Sequence, residues 1–223
     1  MTDHEGAVAS HSPRLQHHFD DAAQQFDAST LGMWVFLITE IMFFGGMFLA
    51  YTIYRNSYPE AFASTSHYMN VTIGTINTGV LIFSSFTMVM AVRSAQLGKK
   101  RALIGFLTST LVLGAIFLCL KYVEYHEKWV DHHIPGPGFE YADPQFFHQA
   151  QILFYLYFAM TGMHAVHMIV GAGLLTHLIV DASRNRFSAE WYTPVELIGL
   201  YWHFVDIVWI FLFPLLYLIG HTS

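Results

Sequence analysis

Five apolar stretches, at roughly 31–54, 70–93, 102–125, 150–180 and 196–219, dominate this chain of 223 residues. Each exceeds the ~20 residues that an α-helix needs to cross the hydrocarbon layer of a bilayer. A helix satisfies all its backbone N–H and C=O groups within the segment, as that solvent demands. The sequence therefore predicts an all-α integral membrane bundle of five transmembrane helices. Composition agrees, because 54% hydrophobic residues, only 12% charged residues and a mean hydropathy of +0.42 lie far from a soluble domain.

The first 29 residues are polar and acidic, and carry His4, His11, His17 and His18. They lack the basic-then-apolar order of a cleavable signal peptide, and the histidine spacing is too irregular for a metal site. The domain division expected is a polar cytoplasmic tail, 1–29, followed by a transmembrane domain, 30–223. Ser29-Thr30 and Asn70 are cap residues for the first two spans. The connection from about 126 to 149 holds Pro135-Gly136-Pro137-Gly138 and Pro144, so it reads as a loop. The formal charge of −6 falls largely in that loop and in the tail, without the basic patches a nucleic-acid partner needs. Cys119 stands alone, so it forms no internal disulfide and no cysteine-based metal site, and reads as a small packing residue.

Orientation follows from the loop cations. Arg93, Lys99, Lys100, Arg101, Arg184, Arg186 and Arg14 face one side, against Arg55, Lys121 and Lys128 on the other. The positive-inside bias then sets the N-terminus in the cytoplasm and the C-terminus outside. Arg184, Arg186 and Trp191 are candidates for contact with lipid headgroups at the interface.

Several ionisable groups fall inside the spans. A charge near the bilayer centre costs about 2.5 to 3.5 kcal/mol on insertion scales, so such residues normally pair within a bundle and mark function. His203 and Asp206 lie three apart in the last span, on one helical face, where each satisfies the other or both address a common partner. Glu40 lies close to mid-membrane, where burial favours the protonated acid. His164 and His167 are also three apart on one face. Heme ligation needs histidines on facing helices, with His203 as the available partner, and a di-iron site needs repeated Glu-x-x-His elements that no span contains. The expected arrangement is a buried polar network of Glu40, His164, His167, His203 and Asp206 that fixes helix packing, with no catalytic residue and no metal. Glu124, His126 and Glu127 read as an interfacial polar cap. The second span is rich in Ser, Thr and Asn, suited to hydrogen bonds across helices. Gly74, Gly79, Gly114, Gly171 and Gly173 permit close backbone approach. The odd span count and the lack of repeats argue against an inverted-repeat transporter.

The strings WVFLITEIMFF (34–44), INTGVL (76–81), YVEYHE (122–127), TGMHAVHMIVG (161–171) and YWHFVDIVWIFLF (201–213) resemble subunit III of the heme-copper oxidases, the aerobic cytochrome c and quinol oxidases. They sample all five spans in the family's order. The resemblance implies an accessory, non-redox subunit of a proton-pumping terminal oxidase. Heme and copper then belong to partner subunits I and II, and this chain holds no cofactor other than bound phospholipid. It also implies that Glu40 matches the family's carbodiimide-reactive intramembrane carboxylate, that the subunit sustains proton uptake, and that the chain sits in a bacterial cytoplasmic membrane. Longer family members have seven spans, so this chain is similar to the short five-helix form. That form includes a relative associated with nitric oxide reductases, the alternative within the family. A diheme membrane cytochrome is the alternative from another class.

Overall fold

The computed structural model describes residue 16 and residues 19–66, 68–141 and 143–218. The tail residues His4, His11, Arg14, His17 and His18 lie outside the described residues. Within these, the helices are α1 (Ala22–Ser57), α2 (Pro59–Ser66), α3 (Val71–Gln96), α4 (Lys100–Val130), α5 (Phe147–Ser183) and α6 (Thr193–Tyr217), with no strand. Five of them are long and apolar enough to cross a membrane. The all-α five-span architecture is thus the one observed.

Capping chemistry explains where the boundaries depart from the apolar runs. The Asp21 carboxylate accepts the Gln24 amide at 2.7 Å, so α1 begins in the polar segment. Ser29 is not a cap but lies inside α1, where its hydroxyl donates to the Gln25 carbonyl at 2.8 Å. Asn70 does cap α3, accepting from the Ile73 amide at 3.2 Å. The expected 126–149 loop is shorter in the structure, since α4 continues to Val130 and a 3-10 turn at Pro144–Phe146 leads into α5. The short α2 was not anticipated; its Phe62 meets Tyr51 of α1 edge-on, with ring centroids 5.5 Å apart.

α3 and α4 form a hairpin through Gly98, whose φ of 65° is the left-handed conformation that glycine adopts without strain. α4 packs on α5, α5 on α6, and α6 back on α3, which closes a ring of four helices. α1 stands beside that ring, touching α5 and α6 far more sparsely.

Trp202 of α6 is the centre of the ring and is fully buried. Its Nε1–H donates to Ser84 Oγ of α3 at 2.9 Å. Its indole lies in a slot between α4 and α5, so tight that a Cβ on Gly114 would come within 2.8 Å of it and one on Gly171 within 2.9 Å. One aromatic side chain therefore registers all four helices of the ring. Of the other glycines expected to permit close approach, Gly74 packs under Phe213, whereas Gly79 and Gly173 have nothing within 4 Å. Cys119, expected to be a packing residue, is instead exposed on the outward face of α4. The polar character of α3 does serve cross-helix bonds: Thr87 and Thr110 hydroxyls meet at 2.8 Å, and Trp209 Nε1–H donates to Thr78 at 3.1 Å.

Candidate functional site

The five intramembrane residues singled out from sequence do not form one network. They separate into three groups around the ring.

The first group joins α1 to α5. Glu40 Oε2 lies 3.0 Å from His167 Nε2, while His167 Nδ1 lies 2.9 Å from the Met163 carbonyl. A carbonyl only accepts, so Nδ1 carries a proton. One further proton remains for the Nε2···Oε2 contact: a protonated Glu40 donates to neutral His167, or an imidazolium donates to a carboxylate. The pair is neutral overall in both states, which suits its depth in the membrane. His167 and Tyr201 form part of the wall of an apolar concavity of about 340 Å³ between α1, α5 and α6. A second concavity of about 380 Å³ shares Met33, Leu174 and Ile198 with it and extends to Trp191. Arg184 and Arg186 sit in the α5–α6 connection, with Arg186 held to Asp181 at 3.2 Å, and neither lines the two concavities.

The second group lies between α3 and α6. His203 Nδ1 and the Ser85 hydroxyl are 2.6 Å apart. Asp206 is 3% exposed, its carboxylate makes no hydrogen bond among the described residues, and Ser85 is its polar neighbour. His203 thus bonds Ser85 and not Asp206, whose carboxylate is enclosed without a hydrogen bond among the described residues. The third group is His164 alone. It is fully buried with no hydrogen bond at either ring nitrogen, edge-on to Phe117 at 5.4 Å and 5.4 Å from Trp209. No cluster of three or more His, Cys, Asp or Glu side chains is placed to hold a metal among the described residues.

The most completely satisfied polar site was missed. Glu124, expected in an interfacial cap, and Lys121, expected at the loop side, are both buried inside the ring. Glu124 Oε2 accepts from Lys121 Nζ at 2.8 Å, and its Oε1 accepts the hydroxyls of Tyr157 at 2.8 Å and Tyr217 at 2.6 Å. The Lys121 ammonium reaches Tyr157 at 3.2 Å and Tyr217 at 2.9 Å as well, so all its donors are placed. Four aromatic rings, of Tyr125, Tyr157, Trp209 and Tyr217, lie within 5.6 Å of the ammonium. The signal available in sequence was a lysine and a glutamate three apart at the end of an apolar run. Their helical spacing points both to one face, but nothing local says that the face is inward.

At the same end of the bundle, His133 of the α4–α5 connection stacks flat on Phe154, with centroids 5.2 Å apart, and meets Tyr68 at 4.8 Å. Lys128 donates to the Tyr68 carbonyl beside it. Burial, with the Lys128 charge as a second cause, pulls the His133 pKa below its ordinary 6.5. The unfolded chain then binds this proton more readily than the folded one. Stability from this packing is complete above about pH 6.5 and is lost as pH falls towards the lowered folded value. Thermal unfolding followed from pH 7.5 down to pH 5 should show a destabilisation that the His133→Phe variant reduces.

The sequence profile described as cytochrome c oxidase subunit III matches residues 14–221. Cytochrome c oxidase subunit 3 of Thermostichus vulcanus is 30% identical over 201 residues, covering 90% of this chain and 92% of the relative. The corresponding protein of Corynebacterium diphtheriae is 32% identical over 196 residues, with 85% and 87% covered. Cytochrome bo(3) ubiquinol oxidase subunit 3 of Pseudomonas aeruginosa is 30% identical over 206 residues, with 92% and 91% covered. The match runs through all five spans and through every polar group just described, and on that ground the chain belongs to the cytochrome c oxidase subunit III family of the heme-copper oxidases.

Proposed function

We propose that this chain is an accessory, non-redox subunit of a proton-pumping terminal oxidase, with oxygen reduced to water at the heme and copper centres of subunits I and II. The observation that carries this reading is how its intramembrane ionisable groups are used. Glu40 is spent on His167 and His203 on Ser85, in bonds between helices of the same chain, while Lys121 and Glu124, both of α4, pair with each other and bond Tyr157 of α5 and Tyr217 of α6. The chain's part is to hold a shape against its partners and to bind phospholipid. The groove along α1, α5 and α6 supports the second role, because it is apolar, open to the membrane and ends at Trp191, an aromatic suited to the headgroup boundary. We place the chain in a bacterial cytoplasmic membrane with its N-terminus inside. The burial of Lys121 and Lys128 supports that orientation, since it leaves Arg55 as the exposed lysine or arginine on the opposite side among the described residues.

The Glu40–His167 pair links the site to proton handling. A carbodiimide reacts with the protonated acid, one of the two forms this neutral pair allows. Labelling of the wild-type chain, and its loss by at least tenfold in Glu40→Gln, is the expected result. Equal labelling in both would remove Glu40 from this role. Purification of the complex through a tag on this chain, followed by mass spectrometry and an absorption spectrum, tests the reading as a whole. Heme-bearing and copper-bearing subunits should co-purify, and stoichiometric heme in the isolated chain would refute it.

A further inference from the structure

In the membrane layer, the outward stripe of α6 runs through His203, Ile207, Ile210, Phe211 and Pro214, at the spacing of one helical face. The apolar members of α3 beside it, Ile82, Phe86 and Val89, are about half exposed, as are Ile207 and Ile210. Lipid tails cover such side chains well. They cannot serve the polar notch at the centre of the face, formed by His203, Ser85 and Asp206.

His203 stands ten residues into a 25-residue helix, and Ser85 fourteen residues into one of 26, so both lie near mid-membrane. His203 is half-buried; its Nδ1 is held by Ser85, while its Nε2 makes no hydrogen bond among the described residues and is not enclosed by the protein. Behind it the Asp206 carboxylate is enclosed, with both oxygens lacking a hydrogen bond and Ser85 beside it. A polar atom presented outward at this depth costs free energy against hydrocarbon and is satisfied when a neighbouring helix supplies a polar group. The Ser85 hydroxyl sets the sense of that bond. When it accepts from Nδ1–H, Nε2 is left as an acceptor; when it donates to Nδ1, Nε2–H points outward as a donor.

We infer that the α3–α6 face around His203 is where this chain docks a transmembrane helix of another oxidase subunit, one that bears a hydrogen-bonding side chain at mid-membrane depth opposite His203 Nε2. The inference rests on the accessory-subunit reading above and adds the face. The outward face of α4 is the contrast: Val112 and Ile116 are exposed there, and Ser109 and Thr108 return their hydroxyls to their own helix backbone. Around Val112 that face therefore presents lipid with hydroxyls already bonded to backbone.

The test is photo-crosslinking in membranes that hold the assembled oxidase. Benzoylphenylalanine is placed at Ile207, at Phe86 and, as control, at Val112, and His203→Gln and His203→Leu are compared at matched membrane levels. Ile207 and Phe86 should give an adduct with one oxidase subunit at least tenfold stronger than Val112 does. His203→Leu should lower the partner retained through detergent purification at least tenfold, while His203→Gln, which keeps a donor and an acceptor, retains most of it. Adducts to lipid alone from Ile207 and Phe86, a protein adduct from Val112 instead, or full retention in His203→Leu would each overturn the docking face while leaving the accessory role standing. A wild-type chain that retrieves no oxidase subunit at all would overturn both.

Discussion

Glu124→Ala, with Lys121 left in place, should destabilise the chain by about 3–5 kcal/mol, because it strands a buried ammonium and removes the acceptor of two tyrosine hydroxyls. In a chain of this size that corresponds to a loss on the order of 10 °C in the unfolding temperature. Lys121→Met should cost less, since the carboxylate keeps both hydroxyl donors. The double variant Lys121→Met, Glu124→Leu should recover much of the loss, as apolar replacement of a whole buried pair is often close to neutral. Thermal unfolding of the four proteins in the same detergent checks the order. A double variant as unstable as Glu124→Ala would show that the site does more than balance charge.

Trp202→Ala is expected to be comparably severe, at about 3–5 kcal/mol for loss of a large buried aromatic. The cost has an added part here, because Ser84 loses its donor in a buried setting. The reciprocal change is smaller but more telling. Gly171→Ala places a methyl within 2.9 Å of an indole that Ser84 holds in position, so overpacking should cost about 1–3 kcal/mol. Gly173→Ala, with open space around it, and Trp129→Ala, with its side chain largely exposed, should leave the unfolding temperature nearly unchanged. A Gly171→Ala variant as stable as Gly173→Ala would mean that the slot is looser than its geometry.

Sequence revealed the spans because apolar length alone decides them, and it placed Asn70 correctly because a cap is a local device. It mislocated the start of α1, where the Asp21 carboxylate reaches the first turn from within a polar segment that hydropathy reads as tail. It found Glu40, His164, His167, His203 and Asp206 because a charge in an apolar run is conspicuous. It did not find how they divide. Whether His203 turns to Asp206 or to Ser85 depends on the rotation of α6 against α3, and no feature within α6 encodes that. Lys121 and Glu124 were assigned to the interface for the same reason: a residue near a span's end is read as wet unless its partners are known, and these partners, Tyr157 and Tyr217, are 36 and 96 residues from Lys121. Inward and outward faces of a membrane helix are equally apolar, so periodicity, which sorts faces in soluble proteins, is silent here.

The loose seat of α1 also bears on how the chain is made. It is synthesised ahead of all four ring helices, yet the ones it packs on are α5 and α6, which follow the other two in the chain. During synthesis α1 therefore waits in the bilayer while the α3–α4 hairpin forms beside it, with the Glu40 side chain facing lipid until α5 delivers His167. A ribosome stalled after α4 would release a product whose unmet acid is its distinguishing mark, readable within the membrane by any factor that surveys unassembled helices.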